Sequence, residues 1–141
     1  MAKIFKYAFF TSTAACFFVA VPSLIIPLFL GSGGELMIST ILRLHVIYVF
    51  LVPWLCSTLC LVLALLIFGR KGGAKRRWLL GGLSVGVGYS VIFLWDVIES
   101  MSSGRWGRIS TVGAIWLLAG FGAGYLAAFV VDKIMKPEFN V

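Results

Sequence analysis

Two acidic residues near the end of an apolar stretch are the side chains of this sequence best placed for chemistry. Asp96 and Glu99 stand three positions apart, so a helix brings them onto one face. Asp96 precedes the last apolar residues of its stretch, Val97 and Ile98. An ionisable side chain within a membrane span is costly unless it is paired or hydrated, so such residues are candidates for ligand or ion binding.

Four nitrogen-bearing residues are expected at the same depth as this acidic pair, namely Arg43, His45, Arg105 and Arg108. We call these four residues, with Asp96 and Glu99, the outer polar cluster. One interpretation is a binding site for a partner or ligand, and the other is a set of interfacial ion pairs that close the loops. A metal site is not expected, because the only histidine belongs to a different span from the two carboxylates and lacks a second histidine beside it.

Sequence motifs of enzymes are absent from the chain. There is no P-loop, no HExxH and no GxGxxG between a strand and a helix, and the letters GxSxG occur only at Gly82–Gly86, inside a predicted apolar span rather than at a strand-to-helix turn. A single histidine also rules out bis-histidine haem ligation within one chain. The three cysteines lie in apolar segments and are interpreted as packing residues: Cys16, Cys56 and Cys60. The sequence therefore predicts a protein that is not an enzyme and that binds no cofactor or metal.

The composition indicates an integral membrane protein. Of the 141 residues, 61% are hydrophobic, and they occur in long runs rather than at helical or strand spacing. Runs of about 18 or more apolar residues are typical of transmembrane helices. The net charge of +7 raises the question of nucleic-acid binding. Cations that flank apolar spans, however, orient those spans and contact anionic lipid headgroups. The lipid bilayer is therefore an expected partner and nucleic acid is not.

Four apolar segments predict one all-α transmembrane domain, a four-helix bundle over residues 1–141. The predicted spans cover residues 7–30, 46–68, 78–98 and 109–131. The first is interpreted as a retained span, because no convincing cleavage site follows it. Pro22 and Pro27 are expected to kink or end it, and Pro53 to kink the second span. Polar residues recur every four positions over residues 35–45, which predicts a short interfacial helical extension before the second span.

The distribution of lysine and arginine predicts the sidedness of the bundle. The stretch from Arg70 to Arg77 holds five cations between the second and third spans, and such a loop resists transfer across a membrane. Nine lysines and arginines fall on its side and three, Arg43, Arg105 and Arg108, on the other. Both termini are therefore expected in the cytoplasm of a bacterial inner membrane. Residues 100–108 are then predicted to be a short outer turn.

Glycine pairs four positions apart mark the third and fourth spans. Gly82 and Gly86 form a GxxxG motif in the third span, and Gly120 and Gly124 form another in the fourth. Small residues at this spacing let two membrane helices approach closely. The simpler interpretation is packing of these two spans against each other. The alternative is an interface with a second copy of the chain or with a foreign helix.

Two functional hypotheses remain. The first is a polytopic inner-membrane protein that acts through contacts with another membrane protein or with itself, as an accessory subunit or as an immunity protein against a membrane-active toxin. It is motivated by the missing catalytic motifs and by the small-residue stripes. The alternative is a small oligomeric transporter or channel that uses the acidic residues Asp96 and Glu99.

Overall fold

Helices account for the chain wherever its structure is described. The computed structural model describes residues 2–30, 45–68, 73–103 and 106–135, and within these ranges every residue except Gly73 is helical. In chain order the helices are α1 (Ala2–Leu30), a π-helical segment (His45–Leu51) that runs directly into α2 (Val52–Phe68), α3 (Ala74–Ser103) and α4 (Trp106–Met135). The predicted interfacial extension over residues 35–45 lies outside the described residues except for His45.

Many large apolar side chains point outward, and many of the buried side chains are small or carry a hydroxyl group. Leu118 and Ile134 are 72% and 76% exposed, whereas Ser12, Ser57 and Ala127 are fully buried. This is the reverse of a soluble bundle, in which large apolar side chains form the core. Within the described residues, three stretches are long and apolar enough to cross a membrane: Ala2–Ser23, Val49–Phe68 and Ala114–Met135. The chain is thus a helical protein suited to a membrane.

Several helices extend beyond the spans predicted from the sequence. α1 continues through Pro22 and Pro27 to Leu30, because membrane helices tolerate proline when side chains and neighbouring helices satisfy the freed backbone groups. α3 reaches Ser103 and α4 begins at Trp106. The turn predicted over residues 100–108 was therefore too long, and of its residues only 104 and 105 lie outside the described helices.

The basic stretch is partly helical rather than wholly a loop. Residues 70–72 lie outside the described residues, but Ala74 begins α3. The carbonyl oxygen of Gly73 accepts the backbone N–H groups of Arg76 and Arg77 at 3.0 and 3.4 Å. Alanine, lysine and arginine all favour the helical state, so the helix starts within the basic stretch. Three of its cations, Lys75, Arg76 and Arg77, consequently stand on the first turn of α3.

Adjacent helices run antiparallel around a four-membered ring. α1 packs against α2 and α4, and α3 packs against α2 and α4, so that α2 and α4 lie on opposite sides. One core layer joins residues near the start of α1, the end of α2 and the end of α4; it contains Tyr7, Ala8, Leu61, Leu65 and Val131. A second layer joins the middle of α1, α3 and α4; it contains Ala15, Cys16, Val19, Val85, Tyr89, Ala123 and Ala127.

The π-helical segment precedes the proline of α2. Pro53 has no N–H, so it cannot donate to the carbonyl of Val49, four residues earlier. The Tyr89 hydroxyl of α3 donates to that carbonyl oxygen at 3.1 Å. Trp54 directly follows Pro53, and its Nε1 donates to Thr13 Oγ1 of α1 at 2.9 Å. The irregular part of the second helix is thus held by side chains from both neighbouring helices, which fixes its position in the ring.

Candidate functional site

The outer polar cluster is only partly covered by the described residues. Arg43 and Arg105 lie outside them. Asp96 and Glu99 belong to the second half of α3, Arg108 to the first turn of α4, and His45 starts the π-helical segment; of these four the backbone alone is described. The helix keeps Asp96 and Glu99 on one face, because residues three apart are neighbours on a helix surface.

Helix register brings the described members of the cluster to one end of the ring. Tyr89 of α3 bonds to the π-helical segment four residues after His45, and a Cβ on Gly120 of α4 would lie 2.9 Å from the Tyr89 ring. At 1.5 Å per residue, Asp96 then lies about 10 Å beyond Tyr89, and Arg108 about 18 Å beyond Gly120 in the same direction. The backbones of His45, Asp96 and Arg108 therefore share this end.

Three of the four glycines singled out in the sequence stand at close contacts between α3 and α4. A Cβ on Gly124 would lie 2.5 Å from the carbonyl oxygen of Gly81 and 2.7 Å from Val85 Cβ. A Cβ on Gly120 would lie 2.9 Å from the Tyr89 ring, and a Cβ on Gly82 would lie 3.0 Å from Phe121. Gly86 differs, because its nearest neighbours are at an ordinary 3.7 Å. The glycine stripes thus face each other within one chain.

Two further glycines of α3 make contacts that the sequence reasoning missed. A Cβ on Gly81 would lie 2.6 Å from Ala128 Cβ, and one on Gly88 would overlap Ser57 Oγ and lie 2.8 Å from the Pro53 carbonyl oxygen. Gly81 thus faces α4 and Gly88 faces α2. Their spacing of seven residues, about two helical turns, places them on nearly the same face of α3, so the spacing alone does not indicate that they meet different helices.

Tyr89 belongs to the second core layer. Its side chain is fully buried, and its ring stacks on that of Trp116 with centroids 5.8 Å apart and planes within 7°. Together with its hydrogen bond to the Val49 carbonyl oxygen, this contact ties α3 to both α2 and α4. A buried hydroxyl with a partner is what the apolar interior requires, so we interpret Tyr89 as a structural residue.

An ion pair at the opposite end of the ring joins α3 to α4. Arg77 Nε donates to Asp132 Oδ1 at 2.8 Å, and the guanidinium NH2 group lies 2.7 Å from the same oxygen. The two side chains are only 14% and 9% exposed. Tyr7 of α1 donates to the Ala128 carbonyl oxygen, one turn before Asp132, at 3.2 Å. Arg77 and Asp132 fall just outside the predicted spans 78–98 and 109–131, so this contact was not predicted from the sequence.

A groove opens on the outside of the ring between α1 and α4. We call it the Trp116 groove; it is lined by Phe18, Val19, Pro22, Ser23, Ile115, Trp116, Ala119 and Ala123, and has a volume of about 350 Å³. Val19 and Ala123 form its floor, since both are nearly buried. Ala119 is exposed and stands four residues before Ala123, so the two small side chains lie on one face of α4.

In the described parts of the chain, no group of three His, Cys, Asp or Glu side chains lies close enough together to hold a metal ion. Comparisons with protein families, with characterised proteins and with solved structures find no match to this sequence or fold. The described residues therefore define the class of protein by themselves: a ring of helices suited to a membrane, in which glycine contacts and the partly buried Arg77–Asp132 ion pair join α3 to α4.

Proposed function

We propose that the chain crosses a bacterial inner membrane four times, with both of its ends in the cytoplasm. α3 supplies the additional span, because it holds no Asp, Glu, Lys or Arg between Trp78 and Trp95. The start of α1, the start of α3 and the end of α4 lie together at the end of the ring that carries the Arg77–Asp132 pair. Cations concentrated at one end favour that end facing the cytoplasm.

Sidedness is tested by a topology reporter inserted at Gly73, which is exposed and helix-free. At this position a fluorescent protein that matures only in the cytoplasm is expected to be fluorescent. Alkaline phosphatase, which is active only outside the cytoplasm, is expected to be inactive there. A matched pair of reporters inserted after Ser103 should give the opposite result. Phosphatase activity at Gly73 would contradict the proposed orientation.

Within this architecture the protein functions by binding the transmembrane helix of a partner protein in the Trp116 groove. The groove is the observation that carries this proposal. Gly82, Gly120 and Gly124 of the GxxxG motifs are occupied by contacts between α3 and α4, whereas Ala119 and Ala123 line the groove, the first exposed and the second at its floor. Membrane helices associate by close packing at such small residues rather than by a hydrophobic driving force.

The walls of the groove suit a helix better than disordered lipid tails. Phe18 of α1 and Ile115 of α4 are 55% and 60% exposed, and Ile115 precedes Ala119 by four residues, so it lies on the same face of α4 as the alanine pair. Trp116 is held in place by stacking on the buried Tyr89 ring. A groove with rigid walls and a floor of small residues gives the shape complementarity that helix packing needs. This mode of action fits an accessory subunit or an immunity protein that engages a membrane-active toxin.

Photo-crosslinking in native membranes tests the groove. A photoreactive amino acid at Ala119 is expected to give one discrete crosslinked partner, whereas the same residue at Leu118 is not. Leu118 is the matched control, because it is the adjacent residue, is 72% exposed and is not part of the groove lining. The crosslink at Ala119 should disappear when Ala123→Phe fills the floor of the groove.

Two results would oppose partner binding in the groove. Equal crosslinking from positions 118 and 119 would mean that the whole face of α4 meets neighbouring proteins at random. A discrete crosslink that survives Ala123→Phe would place the partner elsewhere. Thermal unfolding of Ala123→Phe in detergent serves as the control for folding, and a melting temperature close to that of the unchanged protein makes the crosslinking result interpretable.

Transport remains the second candidate because Asp96 and Glu99 lie on one face of α3 at the end shared with His45 and Arg108. In this function the carboxylates would bind a cation or a basic solute near the membrane surface, as ionisable residues of spans do in transporters. The two functions differ in their sites, since the Trp116 groove and the acidic pair share no residue.

A further inference from the structure

Several lysines lie at the end of the ring that carries the Arg77–Asp132 pair. Asp132 is the one acid with a described side chain at this end, and Arg77 neutralises it. Lys3, Lys6 and Lys75 have no ion-pair partner among the described residues. Membrane ends of this kind attract anionic lipid headgroups, each lysine or arginine near the surface contributing about 1 kcal/mol. These lysines are therefore available to bind an anionic ligand.

A second groove between α1 and α4 reaches this charged end. We call it the Lys6 groove; it is lined by Lys6, Phe10, Val131, Ile134 and Met135, and its volume is about 270 Å³. Val131 is nearly buried and forms the floor, while the Phe10 and Ile134 side chains are half and three-quarters exposed. Apart from Lys6, every residue of the lining is apolar. The groove thus offers an apolar channel with a single cation at one point.

Lysine and phenylalanine share one face of α1 beside this groove. Lys3 precedes Phe10 by seven residues and Lys6 precedes it by four, so both cations stand on the Phe10 side of the helix. Tyr7, the residue after Lys6, is buried in the core and donates to the Ala128 carbonyl oxygen. This hydrogen bond holds the first turns of α1 against α4, and it fixes the position from which the two lysines extend.

We propose that the Lys6 groove binds one anionic glycerophospholipid. An acyl chain lies along Phe10, Val131 and Ile134, and the phosphate is bound by Lys6 with Lys3 one turn away. An apolar channel alone would accept any lipid, and a lysine alone any anion. The two features together select a molecule that carries both a negative headgroup and a hydrocarbon tail. A protein helix is a poorer occupant, because the groove has no pair of small residues for close packing.

Lipid binding to the purified full chain in detergent tests this assignment, with native mass spectrometry as the readout. Phosphatidylglycerol is expected to bind more tightly than phosphatidylcholine with the same acyl chains. Lys6→Gln should weaken phosphatidylglycerol binding about fivefold, which corresponds to the contribution of one cation near a membrane surface. Phosphatidylcholine binding should stay unchanged in this variant.

The matched control is Lys133→Gln, at the same end of α4. The Lys133 ammonium lies over the Phe129 ring, 5.8 Å from its centroid, and is not part of the groove lining. This variant is expected to bind phosphatidylglycerol within about twofold of the unchanged protein. Equal losses in both variants would mean that overall charge, and not the groove, selects the lipid, and would overturn the proposal.

Two further measurements address the tail and the source of the phosphate. Val131→Phe, which fills the floor, should weaken both lipids, and unchanged binding would remove the groove from the proposal. Soluble glycerol 1-phosphate should fail to compete with phosphatidylglycerol, and effective competition would assign the site to a free phosphate compound instead. None of these outcomes depends on whether a partner helix occupies the Trp116 groove, so the two proposals can fail separately.

Discussion

Substitution of Gly124 by alanine is the perturbation whose effect the structure defines most sharply. The added Cβ would lie 2.5 Å from the carbonyl oxygen of Gly81 and 2.7 and 2.9 Å from the Cβ and Cγ2 atoms of Val85. The first distance is about 1 Å short of ordinary van der Waals contact. Since the obstacle includes backbone, no side-chain rotation relieves it, and α3 and α4 must move apart.

The expected cost is about 1–3 kcal/mol of unfolding free energy, the usual range for overpacking a close-packed site. Gly122 on the same helix provides the matched control, because a Cβ there would meet nothing within 4 Å. Gly122→Ala is therefore expected to leave stability unchanged or to raise it by up to about 1 kcal/mol through helix propensity. The two variants carry the same substitution on the same helix, and they differ only in the atoms that the added Cβ would meet.

Reversible unfolding by increasing fractions of dodecyl sulfate in mixed micelles measures both values. Tryptophan fluorescence is a suitable signal, because the Trp116 ring stacks on Tyr89 and the Trp54 N–H bonds to Thr13 in the folded state. The reasoning is refuted if Gly124→Ala and Gly122→Ala have equal stability, or if Gly124→Ala is the more stable of the two. Either result would mean that α3 and α4 do not meet at Gly81 and Gly124.

Three other substitutions test separate parts of the molecule. Asp132→Asn should lower the unfolding free energy by about 1–3 kcal/mol, because the partly buried Arg77 guanidinium loses its charged acceptor. Tyr89→Phe should cost about 0.6 kcal/mol, the average for interhelical hydrogen bonds in membranes, and at most about 1.7 kcal/mol, as the Val49 carbonyl oxygen loses its donor. Asp96→Asn should abolish ion or solute flux in reconstituted vesicles if the protein transports, and should leave partner crosslinking intact.

Each of these three substitutions has its own control. Asp132→Asn combined with Arg77→Gln should be less harmful than Asp132→Asn alone, because no charge is then left without a partner. For Tyr89→Phe the reference is Tyr125→Phe on α4, and an equal loss in both would argue against the bond to Val49. For Asp96→Asn, flux equal to that of the unchanged protein would end the transport hypothesis.

Membrane character and helical structure were predictable because both follow from local features of the sequence. Long apolar runs can satisfy their backbone groups in lipid only as helices or closed barrels, and runs of this length match helical spans. Placement of the acidic pair on one helix face was equally predictable, since it depends only on a spacing of three. Helix ends were less so, as Ser100–Ser103 shows: nothing in that segment stops a helix, yet its polar residues suggested a turn.

Contacts between helices were decided by the tertiary structure. The pairing of Arg77 with Asp132 spans 55 positions, and Gly81 rather than Gly86 makes the closest approach to α4. Which residues meet depends on how far each helix is rotated about its axis and shifted along it. All four helices fix these quantities together through packing. A sequence pattern names the small residues of a helix, and only the assembled ring determines which of them face a neighbour and which line an open groove.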